Sequence, residues 1–245
     1  MLLDRIGLKR EAKTIVKNAK VSAYWFALLF LGIAAIIGGV DTYVSGGIAA
    51  TFAEQGITVP YWLPRPEFPA IMVTFVSVVV WLLTNLLAAG WSVYHLGIRQ
   101  GKKMGYGTLF DGFAFAGKVI LVNLVTSIFI ALWTMLFVIP GIVAAYRYRF
   151  ALYNLCEDPE MGVMEAIRMS KQQTKGFKWQ LFVLDLSFLG WAILCGLTLG
   201  ILTIWIEPWI EQSQVGYFQA IKQYKHIGFG ADGSGGDGEF HSVEF

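Results

Sequence analysis

Histidine and cysteine are nearly missing from this chain. Its 245 residues hold three histidines (His95, His226 and His241) and two cysteines (Cys156 and Cys195). The histidines are scattered, and the cysteines fall in or at the end of apolar runs with no C-x-x-C pair. Neither type offers metal-ligand or redox spacing, and both cysteines read as small buried apolar residues. A phosphate-binding glycine loop, H-E-x-x-H, G-x-S-x-G and a calcium loop are also missing. Gly105, Gly107 and Gly112 follow no strand pattern, so they form no dinucleotide fingerprint. No cofactor, no metal and no enzymatic activity are expected. Charge is scarce as well: Asp, Glu, Lys and Arg make up 15% of the chain, against about a quarter in soluble domains. A net charge of +2 is too small to point to nucleic acid.

Apolar residues fill that space. They make up 56% of the chain, with a mean hydropathy of +0.58. The pattern predicts an all-α, polytopic transmembrane helical bundle of a cell membrane, with the lipid bilayer as its solvent. Residues 1–21 carry Arg5, Lys9, Arg10, Lys13, Lys17 and Lys20 among apolar residues near helical spacing. That suits a juxtamembrane helix on anionic lipid headgroups. The transmembrane domain then runs over 22–226, with spans expected at 22–44, 69–96, 119–139, 140–156, 179–196 and 200–221. Each of the first two is long enough for a hydrocarbon core of about 30 Å. Tyr24, Trp25, Trp91 and Tyr94 sit where aromatic rings settle at an interface. Pro60, Pro64 and Pro66 exclude a regular helix in the loop 45–68. Residues 108–117, with Leu109, Phe110, Phe113 and Phe115, read as an interfacial helix.

The stretch 119–156 is interrupted by Pro140-Gly141. A single crossing there would put Arg147, Arg149, Arg168, Lys171, Lys175 and Lys178 outside. Two crossings keep them on the side of the N-terminus, as the positive-inside tendency favours. Gly196 and Gly200 offer a similar turn before a polar last span containing Glu207, Glu211, Gln212 and Gln214. With six crossings and a cytoplasmic N-terminus, Arg65 is the lone basic residue outside, and eighteen of nineteen lie inside. With five, Lys222 and Lys225 join it outside, so charge alone leaves five and six open. Residues 227–245 are Gly-rich and acidic and read as a disordered tail.

Ionisable residues within apolar spans face partners or water. Arg147, Arg149, Asp185 and Glu207 form the candidate intramembrane polar cluster, with an Arg–Asp pairing between neighbouring helices. Two roles fit: a packing device, or a solute or proton path in which Glu207-Pro208 at a helix break lines a cavity.

The stretch from Leu132 to Pro159, together with 165–182 and 186–209, resembles a bacterial membrane-protein family known as domain of unknown function 975. Its features here are Ile139-Pro140-Gly141, Ala166 with Ser170, Lys175-Gly176, Ser187-Phe188 with Gly190-Trp191, and Pro208-Trp209. The resemblance extends over about residues 8–222. Arg147, Arg149 and Trp209 depart from the residues usual in the family. The resemblance implies a polytopic protein, mostly of Gram-positive bacteria, without an assigned biochemical activity. The Ala166–Ser170 and Lys175-Gly176 segment is also similar to a non-catalytic membrane domain attached to some glycerophosphodiesterases. The expected role is therefore a non-enzymatic accessory or regulatory bundle of the envelope. A membrane-protein partner would contact the amphipathic segment 157–178, through Met164, Ala166, Ile167, Ser170 and Lys171. The alternatives are a small-solute transporter or permease, and an immunity or export accessory for a secreted peptide.

Overall fold

The structure, a computed structural model, describes residues 3–19, 21–47, 67–225 and the single positions 49, 56, 58 and 227. The loop prolines, Arg65 and the tail beyond 227 lie outside the described residues. Among the described residues every regular element is a helix. Four helical stretches are long and apolar enough to cross a membrane: Ala23–Val44, Ala70–Arg99, Tyr106–Leu136 and Lys178–Leu197.

Helix α1 (Arg5–Asn18) begins at Asp4, whose carboxylate accepts the backbone N–H groups of Ile6 and Gly7 at 3.1 and 3.0 Å. These are two of the four donors a helix start leaves unpaired. Ala12 and Val16 turn inward while Arg10, Lys13 and Lys17 stay exposed. Helix α2 (Ala23–Val44) pairs with α3 (Ala70–Arg99). Phe26 stacks on Tyr94 with centroids 3.8 Å apart, Phe30 lies 4.8 Å from Trp91, and Ser77 donates to Asp41 at 2.6 Å. These contacts join the start of α2 to the end of α3, so the two run antiparallel. Helix α3 continues three residues beyond the expected 69–96 span, and at 1.5 Å per residue it is about 45 Å long. The expected interfacial helix is a 3-10 helix, Tyr106–Phe115. It lies against α3 at two glycines: a Cβ on Gly90 would strike the Leu109 carbonyl, and one on Gly112 the Leu86 carbonyl.

Helix α4 (Ala116–Leu136) ends three residues earlier than expected, where Phe137 is fully extended. Helix α5 (Val138–Tyr148) starts at once, so Pro140 lies inside its first turn rather than at the hairpin bend. An N–H in the first turn has no intrahelical acceptor, so proline costs nothing there. Gly141 has no side chain and packs directly on Thr134. The expected span 140–156 is not one helix. It breaks at Arg149-Phe150 and resumes as α6 (Ala151–Glu157). Helix α7 (Val163–Thr174) follows, then α8 (Lys178–Leu186) and α9 (Leu189–Leu197), which are separated by a turn at Ser187-Phe188. The last turn runs over 198–202, with Leu199 at φ 51° and Gly200 at φ 83°. Gly200 supplies the left-handed conformation there, whereas Gly196 lies inside α9. Helix α10 (Thr203–Lys225) is continuous, and Pro208 lies within it. The expected break at Glu207-Pro208 is therefore absent. Close to the helix start, proline forfeits one backbone bond, to the Ile204 carbonyl, and the helix runs on.

Burial follows a gradient along the molecule. The first half of α3 exposes Ile71 (82%), Phe75 and Trp81, while its second half, Leu86 to Gly97, is buried. The outer parts of α2, α4, α5 and α9 expose Ile36, Met135 (89%), Ile139 and Leu197 in the same way. The packed core gathers the end of α3 with α6, α7, α8 and α10, and α1 lies along α10. Apolar side chains face out where the helices are most hydrophobic, and polar ones are enclosed where they pack. Helices immersed in lipid have this arrangement, since hydrocarbon accepts leucine as readily as another helix does.

Candidate intramembrane polar site

The site is built on the break between α5 and α6. Interrupting a helix frees backbone groups that must be paired in a low-dielectric interior. Ser170 on α7 does this: its hydroxyl accepts the Phe150 N–H at 3.1 Å and donates to the Arg147 carbonyl at 3.0 Å. The Thr174 hydroxyl, one turn on, donates to the same carbonyl at 3.3 Å. Asn154 and Gln173 exchange amide hydrogen bonds at 3.0 and 2.8 Å, fastening α6 to α7. The face of α7 that carries Ala166, Ile167, Ser170, Gln173 and Thr174 is thus buried. Ala166, Ile167 and Ser170 cannot serve the partner contact expected of them, because other helices already cover them. Met164, Glu165, Arg168 and Gln172 form the outward face, with Lys171 at its edge.

With the break held, the Arg149 guanidinium reaches Asp185 on α8 by two nitrogens, at 2.5 and 2.9 Å. Tyr146 donates to the same carboxylate at 2.8 Å. Asp185 is two residues before the second break, at Ser187-Phe188, so one ion pair ties two discontinuous helices together. Two-pronged guanidinium–carboxylate pairing is the strong form of this bond. Of the four cluster residues, the structure brings together Arg149 and Asp185. The Arg147 side chain is not part of the pair; its guanidinium carbon lies 6.0 Å from the Tyr148 ring centre. Glu207 sits on α10, one turn before Glu211.

Glu211 belongs to a second cluster that the sequence reading did not single out. It is buried and accepts from the Tyr153 hydroxyl at 2.9 Å. Next to it, Gln212 donates to the His95 carbonyl at 2.6 Å and faces His95 Nδ1 at 3.1 Å. His95 Nε2 and Gln212 Oε1 are buried without a protein partner. Glu211 and Gln212 carried a signal, since both interrupt an apolar span; Tyr153 and His95 carried none. Asp41, an acid within the first apolar run, was also overlooked, although its position alone marked it. Among the described residues no three His, Cys, Asp or Glu side chains converge as metal ligands would.

Outside the presumptive spans, α1 is fastened to the same region. Leu3 N–H donates to Gln180 at 3.1 Å, the Trp209 indole donates to the Lys9 carbonyl at 2.9 Å, and the Lys9 ammonium lies 3.7 Å from the Phe188 ring centre. Burial there, and then the neighbouring Arg5, push the Lys9 ammonium below its usual pKa. Three helices meet at Arg99, which binds Glu11 at 3.0 Å and Gln219 at 3.1 Å. Lys222 pairs with Glu157, and Lys225 donates to the carbonyls of Gln172 and Lys175 at 2.6 Å.

The family-like residues are joints in this framework. Pro140 and Gly141 close the α4–α5 hairpin, and Ser170 brackets the break. Gly176, at φ 87°, turns α7 into α8 beside Lys175. Trp191, directly after Gly190 on α9, stands edge-on at 5.9 Å to Trp209, the neighbour of the buried Pro208. Cavities of about 340, 560 and 300 Å³ lie elsewhere, and none of the three is lined by Arg147, Arg149, Asp185 or Glu207.

No curated protein and no solved structure matches the chain. The family match covers 134–225, a shorter stretch than the resemblance suggested, and leaves α1 to α3 outside it. Residues 134–225, from the end of α4 to the end of α10, match the family described as Protein of unknown function (DUF975).

Proposed function

We propose that this chain is a multi-pass integral protein of a bacterial cell membrane, and that it works as a non-enzymatic accessory or regulatory bundle for other envelope components. The observation that carries the reading is the state of its intramembrane charges. Arg149 and Asp185 are spent on each other and on Tyr146, at the junction of two broken helices, and face none of the three cavities. Paired in this way they hold helices in register. The family-like residues act at joints as well.

Six crossing segments with both ends cytoplasmic fit the geometry. Glu11, Arg99 and Gln219 meet at one point, and Lys222 lies against Glu157. That arrangement brings the end of α10 to the side of α1 and keeps the basic segments on one face. The outward face of α7, with Met164, Arg168 and Gln172, is then a cytoplasmic surface for a protein partner. Photo-crosslinkers at these three positions in cells, followed by copurification, test this. A discrete crosslinked partner is the expected result, and a chain that stays solitary from all three positions overturns it.

A permease reading draws on the same two breaks, since discontinuous helices often surround a substrate site. Flux of candidate solutes in proteoliposomes, lost on Asp185→Asn or Glu207→Gln, would favour it over the accessory role.

A further inference from the structure

We propose that the start of α2 and the connection after α3 form a binding site for one anionic glycerophospholipid of the cytoplasmic leaflet, a partner that no part of the family description assigns. The inference rests on the membrane reading above and goes beyond it. Two cavities are lined by residues close together in the chain here. One, of about 300 Å³, lies between the end of α1 and the turn after α3 and is lined by Asn18, Val21, Ile98, Lys102, Lys103 and Met104 among others. The other, of about 560 Å³, is an apolar groove along α2, lined by Trp25, Leu28, Leu29, Gly32, Ile33 and Ile36 and closed on one side by Tyr106. Met104 borders the first and Tyr106 the second. On the opposite wall Val21 and Trp25 do the same. A pocket edged by two lysines thus lies close to an apolar groove.

The dimensions and charges suit a phospholipid. From Trp25 to Ile36 the groove follows eleven helical steps, about 17 Å. Half of a hydrocarbon core of about 30 Å is roughly the depth of one leaflet, so an acyl chain entering beside Trp25 would lie along the groove for its length. Gly32 keeps the floor open, because a Cβ there would meet nothing within 4 Å. Trp25 and Ile36 are 63% and 70% exposed, so none of the described residues fills the groove. Lys102 and Lys103 are exposed, and among the described residues neither forms an ion pair. The first pocket is bordered by the ends of α1 and α3, where carbonyls point outward and repel an anion. Phosphate affinity must therefore come from the two lysines, and it is lost with them.

The full-length chain in detergent, titrated with phosphatidylglycerol or with phosphatidylcholine of the same acyl chains and read by native mass spectrometry, tests the site. The wild-type chain should retain phosphatidylglycerol in preference. Lys102→Gln with Lys103→Gln should reduce that retention about thirtyfold, near fivefold for each lysine. Gly32→Leu should reduce retention of both lipids, by blocking the groove. Arg168→Gln with Lys175→Gln, which removes two exposed charges away from both cavities, should change neither. Equal retention of the two lipids by the wild-type chain, or unchanged retention in the double lysine variant, overturns the proposal. So does competition by inorganic phosphate as effective as that of lipid, which would make this a free-phosphate pocket. None of these outcomes touches the membrane reading, which fails separately if the chain is monodisperse without detergent.

Discussion

Asp185 is held by three hydrogen bonds from two residues, and its loss leaves a guanidinium without its partner in a poorly hydrated place. Asp185→Asn is expected to lower stability by about 2–3 kcal/mol, because an unpaired charge costs more than the pair contributes. Arg149→Met with Asp185→Leu should recover most of that loss, since no ion then remains to be solvated. Unfolding midpoints in detergent micelles compare the two, and a double variant less stable than Asp185→Asn would show that the pair has a further role. At this scale the sequence was half informative. Arg149 and Asp185 stood out as ions within apolar runs, and their pairing was expected. Arg147 and Glu207 stood out equally and do not join. Which arginine reaches the carboxylate depends on the direction each takes from the helix break, and that direction is set by Ser170, 23 residues from Arg147.

Helices here are joined through small residues and hydroxyls at their ends. Ser170→Ala would free the Phe150 N–H and leave the Arg147 carbonyl to Thr174 alone, and is expected to cost about 1–2 kcal/mol, the desolvation penalty of a buried group left unpaired. Gly141→Ala should cost about 1–3 kcal/mol by forcing α5 away from Thr134. Gly196→Ala is the control: its methyl meets nothing within 4 Å, and α9 should gain up to about 1 kcal/mol from helix propensity. The same micelle unfolding assay reads all three, and equal effects at Gly141 and Gly196 would refute the close contact. The apolar run over 119–145 and the proline announced the α4–α5 hairpin. They did not reveal that the bend falls at Phe137, because a proline is equally at home just before or just inside a helix start. Pro208 is the converse case: a break beside it was one of the expectations within the span 200–221, and the helix runs through it.

For the molecule as a whole, the arrangement of ends is the testable quantity. In a chain with Cys156→Ala and Cys195→Ala, cysteines placed at Glu160 and Tyr224 should react with a membrane-impermeant maleimide from the same side. A cysteine at Glu67 should react from the other. If position 224 labels together with 67, five crossings replace six. The charges could not decide this, because two basic residues near the end of α10 satisfy the positive-inside tendency nearly as well on either side. The contacts of Gln219, Lys222 and Lys225 with α3, α6 and α7 favour one side.

The sequence by itself determined the class of this protein: helices, long apolar runs, basic flanks and a DUF975 segment. Those properties depend on each residue against its solvent, and composition and order carry them in full. Only the tertiary structure decided the partners, among them Arg149 with Asp185, Tyr153 with Glu211, and His95 with Gln212 across 117 positions. It also decided that α7 turns its serine and threonine inward. Partnering depends on the register and rotation of one helix against another, and hydropathy leaves both undetermined, since an apolar face is satisfied by lipid and by a neighbouring helix alike.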